Sequence, residues 1–66
     1  MRVLEFTISH AALESLMCGK AIARLLKLED LGHERDQYIV TALVHEEMLD
    51  TIIEKCAGRP RWVRWP

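Results

Sequence analysis

Apolar positions recur in two stripes, one in each half of the chain. Ala12, Leu16, Gly19, Ala23 and Leu26 follow coiled-coil spacing, and so do Tyr38, Ala42, His45, Leu49 and Ile52. Folding the chain back at Gly32 sets Ala12 against Ile52, Leu16 against Leu49, Gly19 against His45, Ala23 against Ala42 and Leu26 against Tyr38, so that small mostly faces large. The pattern predicts an all-α fold, an antiparallel helical hairpin, in a single domain over residues 1–66. Helix 1 is expected over about 9–30, capped by the hydroxyl of Thr7 or Ser9 and ended by Gly32 in a left-handed conformation. Helix 2 starts near His33 and runs over about 33–57, until Gly58 stops it and Pro60 forbids a restart. Residues 2–8, RVLEFTI, alternate loosely and fit either a short strand or an extended arm with Leu4, Phe6 and Ile8 on one face. Residues 58–66 form an extended tail rich in arginine, proline and tryptophan, with no helical or strand pattern.

At 66 residues and 50% hydrophobic content, the chain is smaller than the roughly 70 to 80 residues at which one core becomes comfortably stabilising. A lone hairpin hides too little of that apolar surface. The expected remedy is a homodimer packed as a four-helix bundle, with Leu16, Gly19, Ile22, Leu25, Ile39, Leu43, His45, Leu49 and Ile53 in its core and dimer seams. Antiparallel helices would hold Cys18 and Cys56 about 15 Å apart at ~1.5 Å per residue, too far to bridge, so both are read as reduced and buried in a cytoplasmic protein. The opening MRVLEF is too short for a secretory signal, and charged residues interrupt every long apolar run, so no membrane association is expected. A net charge of −1 argues against general nucleic-acid binding.

Charge is segregated locally. Asp36, Glu46, Glu47, Asp50 and Glu54 gather on one side of the expected second helix, as a solvated face or as a row of carboxylates that docks on a basic surface and competes there with phosphate. Leu13, Met17 and Leu28 lie among His10, Glu14, Lys20, Arg24 and Lys27 on the first.

No catalytic, metal or cofactor motif is complete. His45-Glu46-Glu47 opens like a zinc metalloprotease helix, but Leu49 stands where the second histidine belongs. Glu47 and Asp50 have the Glu-x-x-Asp spacing with which all-α nucleotide pyrophosphatases hold magnesium, yet the first helix offers only Glu14 and the distant Glu29 as a second pair. His45 opposite Gly19 reads as a core histidine whose protonation would loosen the bundle, and His10 and His33 are too far apart to share a metal with it. Neither cysteine is expected to be catalytic. Trp62 and Trp65 either cover the open end of the hairpin near Leu4, Phe6 and Ile8 or serve as docking anchors.

In size, hairpin layout over residues 8 to 57 and charge arrangement, the chain resembles the small helical inhibitors encoded by temperate phages, including anti-activators of quorum-sensing regulators. The resemblance implies a non-catalytic protein in the bacterial host cytoplasm that binds a host transcription regulator and blocks operator binding. Tyr38, Glu46, Glu47, Asp50, Glu54 and Trp62 are the expected partner-binding residues. A small DNA-binding or nucleoid-associated dimer using Lys20, Arg24, Lys27, Arg59, Arg61 and Arg64 is the first alternative, and a metal-dependent pyrophosphatase the second.

Overall fold

The computed structural model describes residues 1–32 and 34–64. The expectations placed on His33, as helix start and candidate ligand, and on Trp65 fall outside the described residues.

The chain forms four strands and two short helices. Strand β1 (Arg2–Ser9) leads into helix α1 (His10–Cys18), followed by β2 (Ile22–Asp30), β3 (Gln37–Val44), a 3₁₀ turn (Glu46–Met48), helix α2 (Leu49–Lys55) and strand β4 (Cys56–Trp62). The sheet order is β2-β3-β1-β4, and every neighbouring pair is antiparallel. β1 and β2 therefore run parallel with β3 between them, and β3 and β4 run parallel with β1 between them. Two interleaved split βαβ units of this kind make the ferredoxin-like topology.

The all-α helical hairpin and the four-helix bundle are thus not what the chain forms. Three local features explain the difference. First, residues 37–44, QYIVTALV, are nearly all apolar or β-branched, so helical and strand periods both find matches in them; β-branching and aromatic content then favour the pleated surface. Period two is the one realised, with Val40, Ala42 and Val44 all at 0% exposure. Second, α1 stops at Gly19, whose N–H donates to Ser15 O at 2.9 Å, and Lys20 takes a left-handed φ of 60° that turns the chain toward β2. Gly19 is a C-cap and not a seam residue. Third, RVLEFTI is a full strand that buries Leu4, Phe6 and Ile8, and this gives residues 37–44 a partner from Arg2↔Val44 to Ser9↔Gln37.

Several local expectations coincide with the structure. Ser9 caps α1, its hydroxyl accepting from Ala12 N at 3.2 Å. The chain does reverse in the segment that holds Gly32, which has a φ of 106°, but the pairing of Asp30 with Tyr38 puts the centre of the reversal two residues further on; it joins two strands, and Leu31 N–H donates to Gln37 O at 3.0 Å to close the hairpin. The tail does return to the body, as edge strand β4, with Trp62 paired to Leu4 and Cys56 to Ile8. Gly58, at φ 79°, and Pro60 sit where the β1–β4 register shifts, an edge position that tolerates a residue without an N–H.

One core serves the molecule. Leu4, Phe6 and Ile8 of β1, Val40, Ala42 and Val44 of β3, Ala21 and Ile22 meet Leu13 and Leu16 of α1 and Ile52 of α2. Both helices therefore cover the same side of the sheet. The other side is open, and it carries Val3, Thr7, Ile39 and Leu43, all half-buried. The high apolar content goes partly to this open face and not to a helical dimer seam.

Because β4 supplies the second partner of β1, a chain ended at Ala57 is expected to lose most of the β1–β4 pairing and to unfold without a cooperative thermal transition. A sigmoidal melt at the full-length midpoint, followed by circular dichroism, would contradict this role for the tail.

Candidate interaction surface

Two polar clusters and one charged ridge stand out on the surface. The first cluster joins the start of α1 to the start of β3. His10 Nδ1 lies 3.2 Å from the Tyr38 hydroxyl, and His10 Nε2 lies 2.9 Å from Glu14 Oε1. In the tautomer that satisfies both contacts, the tyrosine O–H donates to Nδ1 and Nε2–H donates to the carboxylate. The rings meet edge-on at 5.8 Å. This Tyr–His–Glu chain has the order of a proton relay, but His10 and Glu14 are exposed, and no cavity that would hold a substrate is found among the described residues. Its evident work is to tie α1 to the sheet. Tyr38 is thereby half-buried and committed through its hydroxyl.

The second cluster was not legible as such in the sequence. The Arg2 guanidinium lies 4.1 Å from the centroid of the Trp62 ring, and Arg2 Nε is 3.9 Å from Glu46 Oε1. Trp62 and Glu46 thus flank one arginine at one end of the molecule. β1 and β4 bring the first two together, since Trp62 pairs with Leu4, two residues beyond Arg2. Trp62 remains 38% exposed, so the arginine stacks on the ring without covering it. The spacing of Arg2 and Trp62 along the chain gives no hint of this; only the pairing of β1 with the tail does.

The acidic ridge begins at this cluster. Glu46 and Glu47 lie in the 3₁₀ turn and Asp50 in the first turn of α2, where carboxylates are favoured by the positive end of the helix dipole. Glu54 follows one turn after Asp50, and all four are exposed. Ile53, 45% exposed, adds an apolar group on α2. The helix beneath them is much shorter than expected, yet the carboxylates still share one short segment. Asp36, in contrast, lies in the hairpin loop at φ 48°.

The expected core residues are scattered by the new fold. Leu16 and Ile22 are buried in the single core and Leu49 packs against it. Ile39 and Leu43 are half-buried on the open sheet face, Leu25 is 36% exposed, and Ile53 points outward. His45 is half-buried at the N-cap of the 3₁₀ turn and makes no side-chain capping bond. No helical seam encloses it.

The pyrophosphatase reading loses its geometry too. Glu14 is on α1 and Glu29 on β2, and among the described residues no three His, Cys, Asp or Glu side chains gather where they could hold a metal ion. The basic residues of the DNA-binding alternative are partly collected: Arg24 pairs with Leu43, Lys27 with Thr41 and Arg61 with Glu5, all on the open sheet face. Glu5 counters this charge, its Oε1 accepting from Arg61 Nε at 3.0 Å. No described helix is long and apolar enough to cross a membrane.

Set beside known protein families, characterised proteins and solved structures, the chain matches none of them significantly.

Both cysteines are free, but only Cys56 is partly buried; Cys18 is exposed, contrary to expectation. Burial pushes the Cys56 thiol up from 9.0 to about 11. At pH 8 a thiol reagent is expected to label Cys18 at least about tenfold faster than Cys56 in the native protein, because the thiolate is the reactive form. Equal rates, read by mass spectrometry, would contradict the packing of Cys56. The same raised pKa means that Cys56 favours the folded state fully below pH 9 and loses that contribution as pH rises toward 11.

Proposed function

We propose that the chain is a non-catalytic protein-binding inhibitor, acting in the bacterial cytoplasm, that docks on a basic surface of a host protein and blocks its activity. A DNA-binding transcription regulator is the partner class whose surface fits best. The observation that carries this reading is the continuity of Trp62, Arg2 and Glu46 with the exposed carboxylates Glu47, Asp50 and Glu54. Tryptophan and arginine are the side chains most enriched in binding hot spots. A row of carboxylates beside them supplies steering toward, and charge complementarity with, a surface that otherwise meets phosphate. Two free cysteines fit a reducing compartment. The role given to Tyr38 narrows, since its hydroxyl already bonds His10.

The resemblance to phage-encoded helical inhibitors rested on a hairpin the chain does not form, so it lends this proposal no support; the charge layout does. A second reading keeps the gathering of Arg24, Lys27 and Arg61 on the open sheet face as a nucleic-acid surface. It differs in its observable, a steep fall of DNA affinity with salt.

Affinity capture from a bacterial lysate is the test, followed by competition between the captured regulator's operator DNA and this protein. The wild type is expected to hold a regulator stoichiometrically and release it to operator DNA. Glu47→Lys with Asp50→Lys, and separately Trp62→Ala, should each weaken capture at least about tenfold with unchanged circular dichroism. Capture undiminished in both variants would refute the ridge as the docking surface.

A further inference from the structure

β2 is one of the two edge strands, bonded to β3 on one side only. It is also the longest strand, nine residues from Ile22 to Asp30. Its register with β3 fixes which way each residue faces. Leu25 pairs with Ala42 and Leu28 with Val40, both fully buried on the helix-covered side, yet Leu25 is 36% and Leu28 47% exposed. These two leucines continue the core's apolar face past the reach of the helices, up to the open edge. On the opposite side Arg24, Lys27 and Glu29 pair with Leu43, Thr41 and Ile39.

The charges run in order along the strand: basic residues Arg24 and Lys27 come first, acidic residues Glu29 and Asp30 last. An antiparallel two-fold pairing sets the first half of one copy against the second half of the other. The alignment that keeps each side of the sheet continuous puts Leu25 against Leu28 of the partner subunit and Arg24 against Glu29 of the partner subunit. Apolar meets apolar on the helix side; on the open side two Arg24–Glu29 pairs flank the two-fold axis, where Lys27 meets Lys27 of the partner subunit. The other edge has the reverse character. β4 carries Arg59 and Arg61, lacks a donor at Pro60 and is kinked at Gly58, so pairing it with itself would bring arginines together.

We propose that two copies associate through their β2 edges, forming one continuous eight-stranded antiparallel sheet with all four helices on the same side. The occupant of the edge is a second copy of this chain because Leu25 complements Leu28, and Arg24 complements Glu29, across the two-fold axis. This surface is distinct from the acidic ridge, so either proposal stands or falls without the other. Edge pairing covers less than the roughly 1,600 Å² of a standard interface, so the dimer is expected to be reversible. The register shifts between Ile22 and Arg24 and between Leu25 and Lys27 set Ala23 and Leu26 outside the ladder with β3 and bring Leu25 and Leu28 to the same side of the sheet.

Sedimentation equilibrium on the full chain from about 1 μM to 1 mM, spanning the affinities open to so small an interface, tests the proposal. The wild type is expected to be a reversible dimer. Arg24→Glu should weaken it at least about tenfold and the double exchange Arg24→Glu with Glu29→Arg should restore it to within about threefold, because a two-fold charge pair is repaired by swapping both ends. Hydrogen exchange on the wild type gives a variant-free readout, with protection of the outward β2 amides rising with concentration. A monomer throughout, or a dimer indifferent to Arg24→Glu and without concentration-dependent protection in β2, overturns it.

Discussion

The antiparallel pairing of β1 with β3 is the constraint on which the rest of the structure depends. These are the two central strands, matched residue for residue from Arg2↔Val44 to Ser9↔Gln37 without a bulge. Their common inner side supplies Leu4, Phe6, Ile8, Val40, Ala42 and Val44, the apolar floor against which Leu13, Leu16 and Ile52 pack. Remove the pairing and neither helix has a surface to cover. At 9 and 7 residues, both helices are too short to persist by themselves in water, where a helix below about 12–15 residues is marginal.

The same pairing distributes function. It separates a helix-covered side from an open side, and it leaves β2 and β4 as edges of opposite chemical character. β4 delivers Trp62 to Arg2 and, through Arg2, to Glu46. β2 presents Leu25 and Leu28 on one side and Arg24, Lys27 and Glu29 on the other. The carboxylates of the ridge lie on the helical layer, and Arg24, Lys27 and Arg61 lie on the sheet beside Glu5 and Glu29, so a nearly neutral chain still carries one locally acidic surface. Total charge alone conceals this.

What could be read from the sequence was local. Ser9 as a cap, a chain reversal close to Gly32, the shared face of Leu4, Phe6 and Ile8, and the grouping of Glu46, Glu47, Asp50 and Glu54 each depend on a few neighbouring residues. The fold class did not, because QYIVTALV and IARLLKL are apolar at so many positions that helical spacing can be found in them whether or not a helix forms. The deciding information was non-local. A strand at residues 2–9 gives residues 37–44 a partner, and β pairing then outweighs the helical pattern, including the apparent match of Gly19 to His45. Gly19 instead bonds Ser15 within the C-cap of α1, and His45 N–H donates to Ala21 O at 3.4 Å. The Arg2–Trp62 stack was hidden for the same reason, since it joins the two ends of the chain.

The most direct test of this account is a set of backbone NMR cross-peaks in the uniformly labelled protein. A central β1–β3 ladder predicts Hα–Hα contacts between alternate pairs of the register from Val3–Leu43 to Ser9–Gln37, with helical contacts confined to residues 10–18 and 46–55. Unbroken helical contacts through residues 22–30 and 37–44, with no cross-strand peaks to residues 2–9, would contradict it.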